Sequence, residues 1–367
     1  MHPNNLTSAA IAEEFVCLDD PESGLSGVIV LNSTRLGPAA GGCRFWRYET
    51  AAEVAYDAMR LAEGMSYKNA LADLPFGGGK AVLRVPDGNF DRTRLFQAFG
   101  RAVARLEGRY VTAEDVGTSV EDMMSVATAT RHVAGLPPKA GMPGGDPSPW
   151  TARGVFRSME VSARHKMDAE ISDMVVAVQG LGNVGFALCE MLWQAGARLI
   201  VAEPRPELAA LAAERFGARV MTSQDLFKAK ADMLAPCALG GVIDENVVAG
   251  LQVKIICGAA NNQLASPDQA GELAARDILY APDYLVNAGG IINVAAEHFG
   301  WAAEEAHARV ELIGDRLAMV LNAAESSNVP PDEAARQLAR SLIEGKRHAA
   351  KTPAAAGWSE PSFAKAG

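Results

Sequence analysis

Three short segments of this chain set a charged residue among glycines. They are Gly37-Pro-Ala-Ala-Gly-Gly-Cys-Arg44, Gly64-Met-Ser-Tyr-Lys68-Asn69 continued by Pro75-Phe-Gly-Gly-Gly-Lys80, and Thr112-Ala-Glu-Asp115-Val-Gly117. A lysine that only solvates a surface needs no such neighbours. Three adjacent glycines at 77–79 imply a backbone that must approach something closely. A substrate with both a carboxylate and an amine has use for these groups. One cation must hold the carboxylate, and a base must take a proton from the ammonium and later from an attacking water. A free lysine, with a pKa of about 10.4, is too basic for that. A second buried cation nearby lowers it, because like charges disfavour the charged form. Lys68 and Lys80 converging on one cleft would supply both functions, and Asp115 suits a proton shuttle on the amine or carbinolamine. Spacing alone is equally compatible with two solvated lysines, one on a helix end and one on a loop.

A second constellation lies further along. Gly180-Leu-Gly182-Asn183-Val184-Gly185 is a G-x-G-x-x-G flanked by the apolar run Met174–Val178 and a helical pattern from Val184. The next apolar run, Arg198–Ala202, ends on Glu203, about 20 residues past the first glycine, as a dinucleotide fingerprint requires. Gly180 permits the tight turn, Gly182 lets the backbone approach a pyrophosphate, and Gly185 lets helix and strand pack closely. The pyrophosphate would rest on the helix N-terminus, where free N–H groups and the dipole favour negative charge. Glu203 would accept from the ribose hydroxyls and repel a 2′-phosphate, which favours NAD over NADP. Arg205, two residues on, offsets part of that preference.

The elements that must position these groups are readable in outline. Val28–Leu31 and Ala81–Val85 read as strands. Val54, Ala58, Leu61 and Met65 share one face of a helix from about Ala51. Leu95, Phe96, Phe99, Val103 and Leu106 define another, with Asp91 as N-cap. After Thr151, helices alternate with the apolar strands Met174–Val178, Arg198–Ala202, Met233–Ala235 and Val253–Cys257, a pattern for a parallel sheet buried on both faces. Between the halves, Gly135–Pro149 is too rich in glycine and proline for regular structure. The expected fold is α/β in two domains: residues 1–134, a hinge at 135–149, and a Rossmann-type domain at 150–330. A C-terminal helix within 331–350 packs back on the first domain, and 351–367 form a tail.

Composition narrows the function classes. The 367 residues exceed one ordinary core. The net charge of −10 argues against a nucleic-acid partner. No apolar run is long enough for a membrane helix, and the polar first residues, Met1 to Ala12, do not read as a signal peptide. The five scattered cysteines lack a Cys-x-x-Cys pair and the six histidines lack ligand spacing, so a cytoplasmic protein without a metal is expected.

Taken together the motifs resemble the glutamate/leucine/phenylalanine/valine dehydrogenase family, and its leucine branch most. The resemblance runs from about Gly27 to the helix near Asp332. It is carried by GPAAGGCR, GMSYKNALADLPFGGGKAV, VTAEDVGTSVEDM, GDPSPWTARGV, VQGLGNVG, APCALGGVI, CGAANNQL and APDYLVNAGGIINV. It implies a first domain that carries substrate chemistry and oligomerisation, and a cleft facing an NAD-binding domain. The implied reaction is reversible oxidative deamination of an L-amino acid to a 2-oxo acid, ammonia and NADH, in a homo-oligomer. By the same resemblance Lys68 grips the α-carboxylate, Lys80 is the general base and Asp115 its proton-transfer partner. Gly41 and Gly42 line the substrate site through their backbone, and a Gly77–Gly79 turn delivers Lys80. Thr151, Ala259, Asn261, Asn262 and Asn287 lie toward the nicotinamide and substrate, with Asn183 and Val184 in the fingerprint.

The implied side-chain pocket is Ala40, Ala113, Ile291 and Val294. None is charged, so a glutamate side chain would be desolvated without a partner. Branched-chain substrates are favoured. Ala40, smaller than the leucine usual in that branch, leaves phenylalanine or a broad aromatic range as the alternative. Cys43 and Ser66 replace threonines, and Asp146 and Trp150 are unusual at the hinge; Trp150 reads better as a packing residue than as a gate. A 2-hydroxy-acid dehydrogenase would want a histidine base and an arginine clamp, and no such motif appears. An inactive NAD-binding regulator would have lost Lys68, Lys80 or Asp115, and all three are present.

Overall fold

A computed structural model describes residues 12–137 and 143–345. The polar N-terminal segment up to residue 11, residues 138–142 of the expected hinge, the end of the expected 331–350 helix and the 351–367 tail lie outside the described residues. Among the described residues, no helix is long and apolar enough to cross a membrane.

The first sheet is built from β1 (Glu14–Asp20), β2 (Leu25–Ser33), β3 (Ala39–Trp46), β4 (Gly77–Arg84) and β5 (Tyr110–Glu114), in the order β1-β2-β4-β3-β5. The β1–β2 and β2–β4 pairs are antiparallel, whereas β3 runs parallel to both β4 and β5. Alternation along β2 divides its apolar residues between two cores. Val28 and Val30 face the helix Ala51–Leu71 with its Val54, Ala58 and Leu61. Ile29 and Leu31 face the helix Arg92–Ala104 with Leu95, Phe96 and Phe99. The 51–71 helix opens on a capping box of Thr50 and Glu53, and Asp91 caps the 92–104 helix by accepting from Arg94 N at 3.0 Å.

The glycine triplet is where sequence reasoning fails. Gly77–Gly79 is not a turn but the opening of β4. A Cβ on Gly78 would stand 2.1 Å from Ser66 N, and one on Gly77 only 1.9 Å from Ser33 O. The 51–71 helix lies directly on Gly78, while Ser33 O closes on Gly77 and Tyr110 and Ala39 on Gly79, so the glycines answer to packing within the domain rather than to a ligand. Likewise GPAAGGCR supplies strand β3, where a Cβ on Gly41 would meet Gly79 O at 1.9 Å.

The second sheet is wholly parallel: β6 (Val175–Gln179), β7 (Arg198–Ala202), β8 (Arg219–Val220), β9 (Met233–Pro236), β10 (Ile255–Ile256) and β11 (Leu279–Tyr280). Its order, β11-β10-β9-β6-β7-β8, is that of a doubly wound dinucleotide fold. The helix leading into it spans Ser148–Met167 and begins inside the expected hinge. Pro149 is tolerated in its first turn because the N–H it lacks has no partner there, and Asp146 accepts from Ser148 N at 2.9 Å. Trp150 packs edge-on toward His307 and against the apolar cluster behind the cleft. At the back, the helix Ala303–Ser327 lies on the 148–167 helix, and Pro331–Ile343 packs on both it and the 51–71 helix.

Candidate active site

The two sheets face each other across a cleft. Its inner cavity, about 280 Å³, is lined by Lys68, Lys80, Gly42, Asp115 and Ala113 on one side and by Thr151, Val184, Ala259, Asn261, Asn262, Asn287, Ile291 and Val294 on the other. That is near the lower end of the roughly 300–1,000 Å³ of small-molecule pockets, a size for an amino acid rather than for a whole dinucleotide.

The 51–71 helix brings Lys68 in on its last turn, and β4 brings Lys80. Lys68 Nζ donates to Asn261 Oδ1 at 3.0 Å across the cleft. Asn287 Nδ2 donates to the same Asn261 oxygen at 2.9 Å and to Ala259 O at 3.0 Å, so the second domain orients the lysine's partner. Burial first, with the charge of Lys80 a lesser cause, lowers the Lys68 pKa to about 8 although Asp283 and Asp115 oppose the fall. The sequence predicts a lowered pKa for the base, Lys80, from a second cation; the lysine found lowered is Lys68, the expected carboxylate grip, and burial is the larger cause.

Lys80 is buried and its Nζ lies 2.9 Å from Asp115 Oδ2. Burial pushes the Asp115 carboxyl up, but Lys80 and Arg44 outweigh it and hold its pKa near 2. The pair is therefore an ammonium–carboxylate hydrogen bond facing the cavity, a path along which a proton can move.

The cavity also has an apolar lining. Ala113, Ile291 and Val294 line it together with Leu61 and Met65 of the 51–71 helix, which sequence reasoning did not assign. Their only signal was position: Leu61, Met65 and Lys68 follow one another at helical spacing. Ala40 is fully buried in the same apolar cluster as Ala113, Ile291 and Val294, behind the cavity wall rather than on it. Gly41 also lies off the wall; its carbonyl accepts from the Tyr110 hydroxyl at 2.7 Å. Four charged residues went unassigned as well, Glu114 of the cavity lining among them. Arg44 touches Asp115, Asp57 touches Arg44, and Asp283 accepts from Gln263 N at 2.8 Å and anchors the Asn261–Asn262 loop. Arg44 stood in a glycine-rich motif, whereas Asp57 gave no signal in the sequence.

The glycine fingerprint closes the β6-to-helix turn. Gly180 has φ +91°, and a Cβ on Gly185 would meet Gly180 O at 2.0 Å. Gly182 faces open space. The helix Asn183–Gln194 starts at Gly182 with no side chain capping it, leaving its first N–H groups for an anion. At the end of β7, Glu203 accepts from Leu181 N at 2.7 Å and pairs with Arg205 Nε at 2.6 Å. The Arg205 contact, chiefly, holds the Glu203 pKa near 2. A backbone cradle open at the middle glycine, with an ionised carboxylate at the next strand end, fits a dinucleotide.

Residues 13–132 match the family described as Glu/Leu/Phe/Val dehydrogenase, dimerisation domain, and residues 202–348 match Glutamate/Leucine/Phenylalanine/Valine dehydrogenase. The chain is 44% identical to a leucine dehydrogenase of Geobacillus stearothermophilus over 92% of both chains. It is also 44% identical to a valine dehydrogenase of Streptomyces coelicolor, over 91% of this chain and 93% of that one. Among solved structures, an L-tryptophan dehydrogenase from Nostoc punctiforme superposes with a TM-score of 0.79 at 36% identity, covering 91% of this chain and 96% of that chain.

Proposed function

This chain belongs to the Glu/Leu/Phe/Val dehydrogenase family, and from that premise we propose that it oxidatively deaminates branched-chain L-amino acids with NAD. It is an amino acid dehydrogenase of two α/β domains that uses a nicotinamide dinucleotide. The observation that carries the substrate reading is the charge pattern of the cavity. Lys68, Lys80, Arg44, Asp115, Asp283 and Glu114 supply its charged lining, and Ala113, Ile291, Val294, Leu61 and Met65 its apolar lining. A second carboxylate placed there would lose its water without a partner, at a cost of several kcal/mol. An aliphatic side chain gains roughly 0.8 kcal/mol per buried CH₂.

In this reading the Lys68 ammonium binds the α-carboxylate, and Asn261, steadied by Asn287, fixes its direction. The incoming carboxylate adds an opposite charge beside Lys68 and favours its protonated form. Lys80, once neutral, accepts a proton from the water that attacks the imine. Asp115, hydrogen-bonded to Lys80, carries protons to and from the substrate nitrogen. A bound nicotinamide would supply the acceptor for the α-carbon hydride. Thr151 and Asn287 would hold its amide end, Gly182 and the Asn183–Gln194 helix the pyrophosphate, and Glu203 the ribose.

NAD is preferred over NADP because Glu203 is ionised where a 2′-phosphate would lie, with Arg205 beside it moderating the repulsion. The match of residues 13–132 to a dimerisation domain supports a homo-oligomer. Five free cysteines, three of them buried, suit the reducing cytoplasm. The L-tryptophan dehydrogenase neighbour favours aromatic substrates as the second reading. The test is NADH or NADPH absorbance with each of the twenty L-amino acids. The proposal expects leucine, isoleucine or valine with NAD to lead, and a preference for glutamate or for NADP would overturn it.

A further inference from the structure

Asp115 does not rest on Lys80 alone. Arg44 Nε lies 3.2 Å from Asp115 Oδ2, the same oxygen that Lys80 Nζ approaches at 2.9 Å. Arg44 is itself held. Its Nη1 lies 3.0 Å from Asp57 Oδ2, and the Tyr48 hydroxyl donates to that same Asp57 oxygen. A chain of four side chains thus runs from Tyr48 through Asp57 on the 51–71 helix and Arg44 on β3 to Asp115 at the end of β5. It ends in the cleft, with the Arg44 and Asp115 side chains 19% and 14% exposed.

We propose that Arg44 is a positioning residue that keeps Asp115 ionised and in place while Lys80 is without its proton, and that Asp57 and Tyr48 hold Arg44 for that task. The inference rests on the reading of Lys80 and Asp115 as the proton-transfer pair. A general base must lose its charge in each cycle. When Lys80 does, a buried carboxylate is left beside a neutral amine, and burial alone drives such a group toward the protonated form. The groups facing Asp115 are Lys80 on β4, Arg44 and Cys43 on β3, Tyr110 on β5 and Lys68 on the 51–71 helix. Burial keeps Cys43 and Tyr110 protonated and neutral. Lys68 faces the incoming substrate carboxylate. The guanidinium is the one cation of the set that never titrates. Burial opposes its charge too, yet Asp115 and Asp57 more than compensate and raise its pKa.

The test reads Asp115 directly. Infrared titration of protein labelled with carbon-13 aspartate, taken as the difference from Asp115→Asn, follows this carboxyl without turnover. Arg44→Gln is expected to move the titration up by roughly 1–3 units, the effect of one cation at this range. Arg44→Lys, which keeps the charge, is expected to restore most of it. In parallel, the rise of kcat/KM with pH for leucine moves alkaline in Arg44→Gln, because the Lys80–Asp115 pair holds its proton longer once a positive charge is gone. Tyr48→Phe, which loosens Asp57 and through it Arg44 without removing a charge, shifts it less, in the same direction, and serves as the milder variant should Arg44→Gln fail to fold. A purely packing role would lower kcat and leave both titrations where they are in the native protein, and that result overturns the proposal. If the native protein formed no NADH with any amino acid, the functional reading would fall, while the infrared titration would still decide the role of Arg44.

Discussion

Lys68 is expected to cost stability for the sake of the site, and Lys68→Met measures the cost. Burial lowers its pKa from 10.5 to about 8. A drop of roughly 2.5 units at about 1.36 kcal/mol each sets a ceiling near 3 kcal/mol. Two effects reduce it. Lys68 is only partly buried, so solvent screens part of the penalty. Asp283, a buried carboxylate already pushed upward, loses a favourable neighbour when Lys68 goes. A net gain of about 1–2 kcal/mol for the methionine variant remains. Its pH dependence has a definite sign. Below pH 8 the lysine is charged in both the folded and unfolded chain, so the whole penalty is present. Between about 8 and 10.5 the folded chain is neutral while the unfolded chain still binds the proton, so native stability climbs relative to the variant. Above 10.5 both are neutral and the gap closes. Urea midpoints of the two proteins, at one protomer concentration, near neutral pH and above pH 10.5, provide the assay. Deamination of leucine by the variant should be lost. A variant that is inactive yet no more stable at neutral pH, or a gap that does not shrink with pH, would refute the argument that desolvation governs this lysine.

Gly78→Ala should lower the unfolding free energy read from urea titration by the roughly 1–3 kcal/mol typical of overpacking or more, because its Cβ falls 2.1 Å from Ser66 N. Activity should fall with it, since Lys80 is two residues away. Glu203→Ser should raise the NADP-to-NAD ratio of kcat/KM by about tenfold, or roughly 1.4 kcal/mol, as Arg205 is released to meet a 2′-phosphate. Ala40→Leu should reduce kcat/KM for phenylalanine more than for valine. Equal losses on both would mean that position 40 only packs behind Ala113, Ile291 and Val294.

The second domain was the more legible half, for a physical reason. Its strands are buried on both faces and read as unbroken apolar runs; Arg198–Ala202 has the expected bounds, and the glycine fingerprint follows its strand directly. In the first domain β3 opens on Ala-Ala-Gly-Gly and β4 on three glycines, which carry no alternation to read. Their strand identity is fixed by tertiary contact, with the 51–71 helix pressed on Gly78, and no local propensity signals that. The convergence of Lys68, Lys80 and Asp115 on one cavity was legible because each stands in a dense motif. Their supports were not. Asp57 and Tyr48 look like ordinary surface residues at the start of a helix, and only folding places Arg44 between Asp57 and Asp115.

The 51–71 helix ties these parts into one device. Asp57 near its first turns steadies Arg44, and through it Asp115; Lys68 in its last turn meets Asn261 of the other domain. Between them Tyr67 accepts from Arg340 Nε at 3.0 Å, which fastens the helix to 331–343, itself packed on 303–327 of the second half. The C-terminal strap and the chain between the two sheets thus both join the halves. That chain is clasped at several points. Gly135 N and Leu136 N donate to Glu297, and Gly144 N donates to Asn293. Both acceptors sit on the helix Gly289–Phe299, which also presents Ile291 and Val294 to the cavity. These hydrogen bonds tie the chain between the sheets to the helix that carries Ile291 and Val294. A change at Glu297, outside the cavity lining, should then alter KM for leucine as well as kcat.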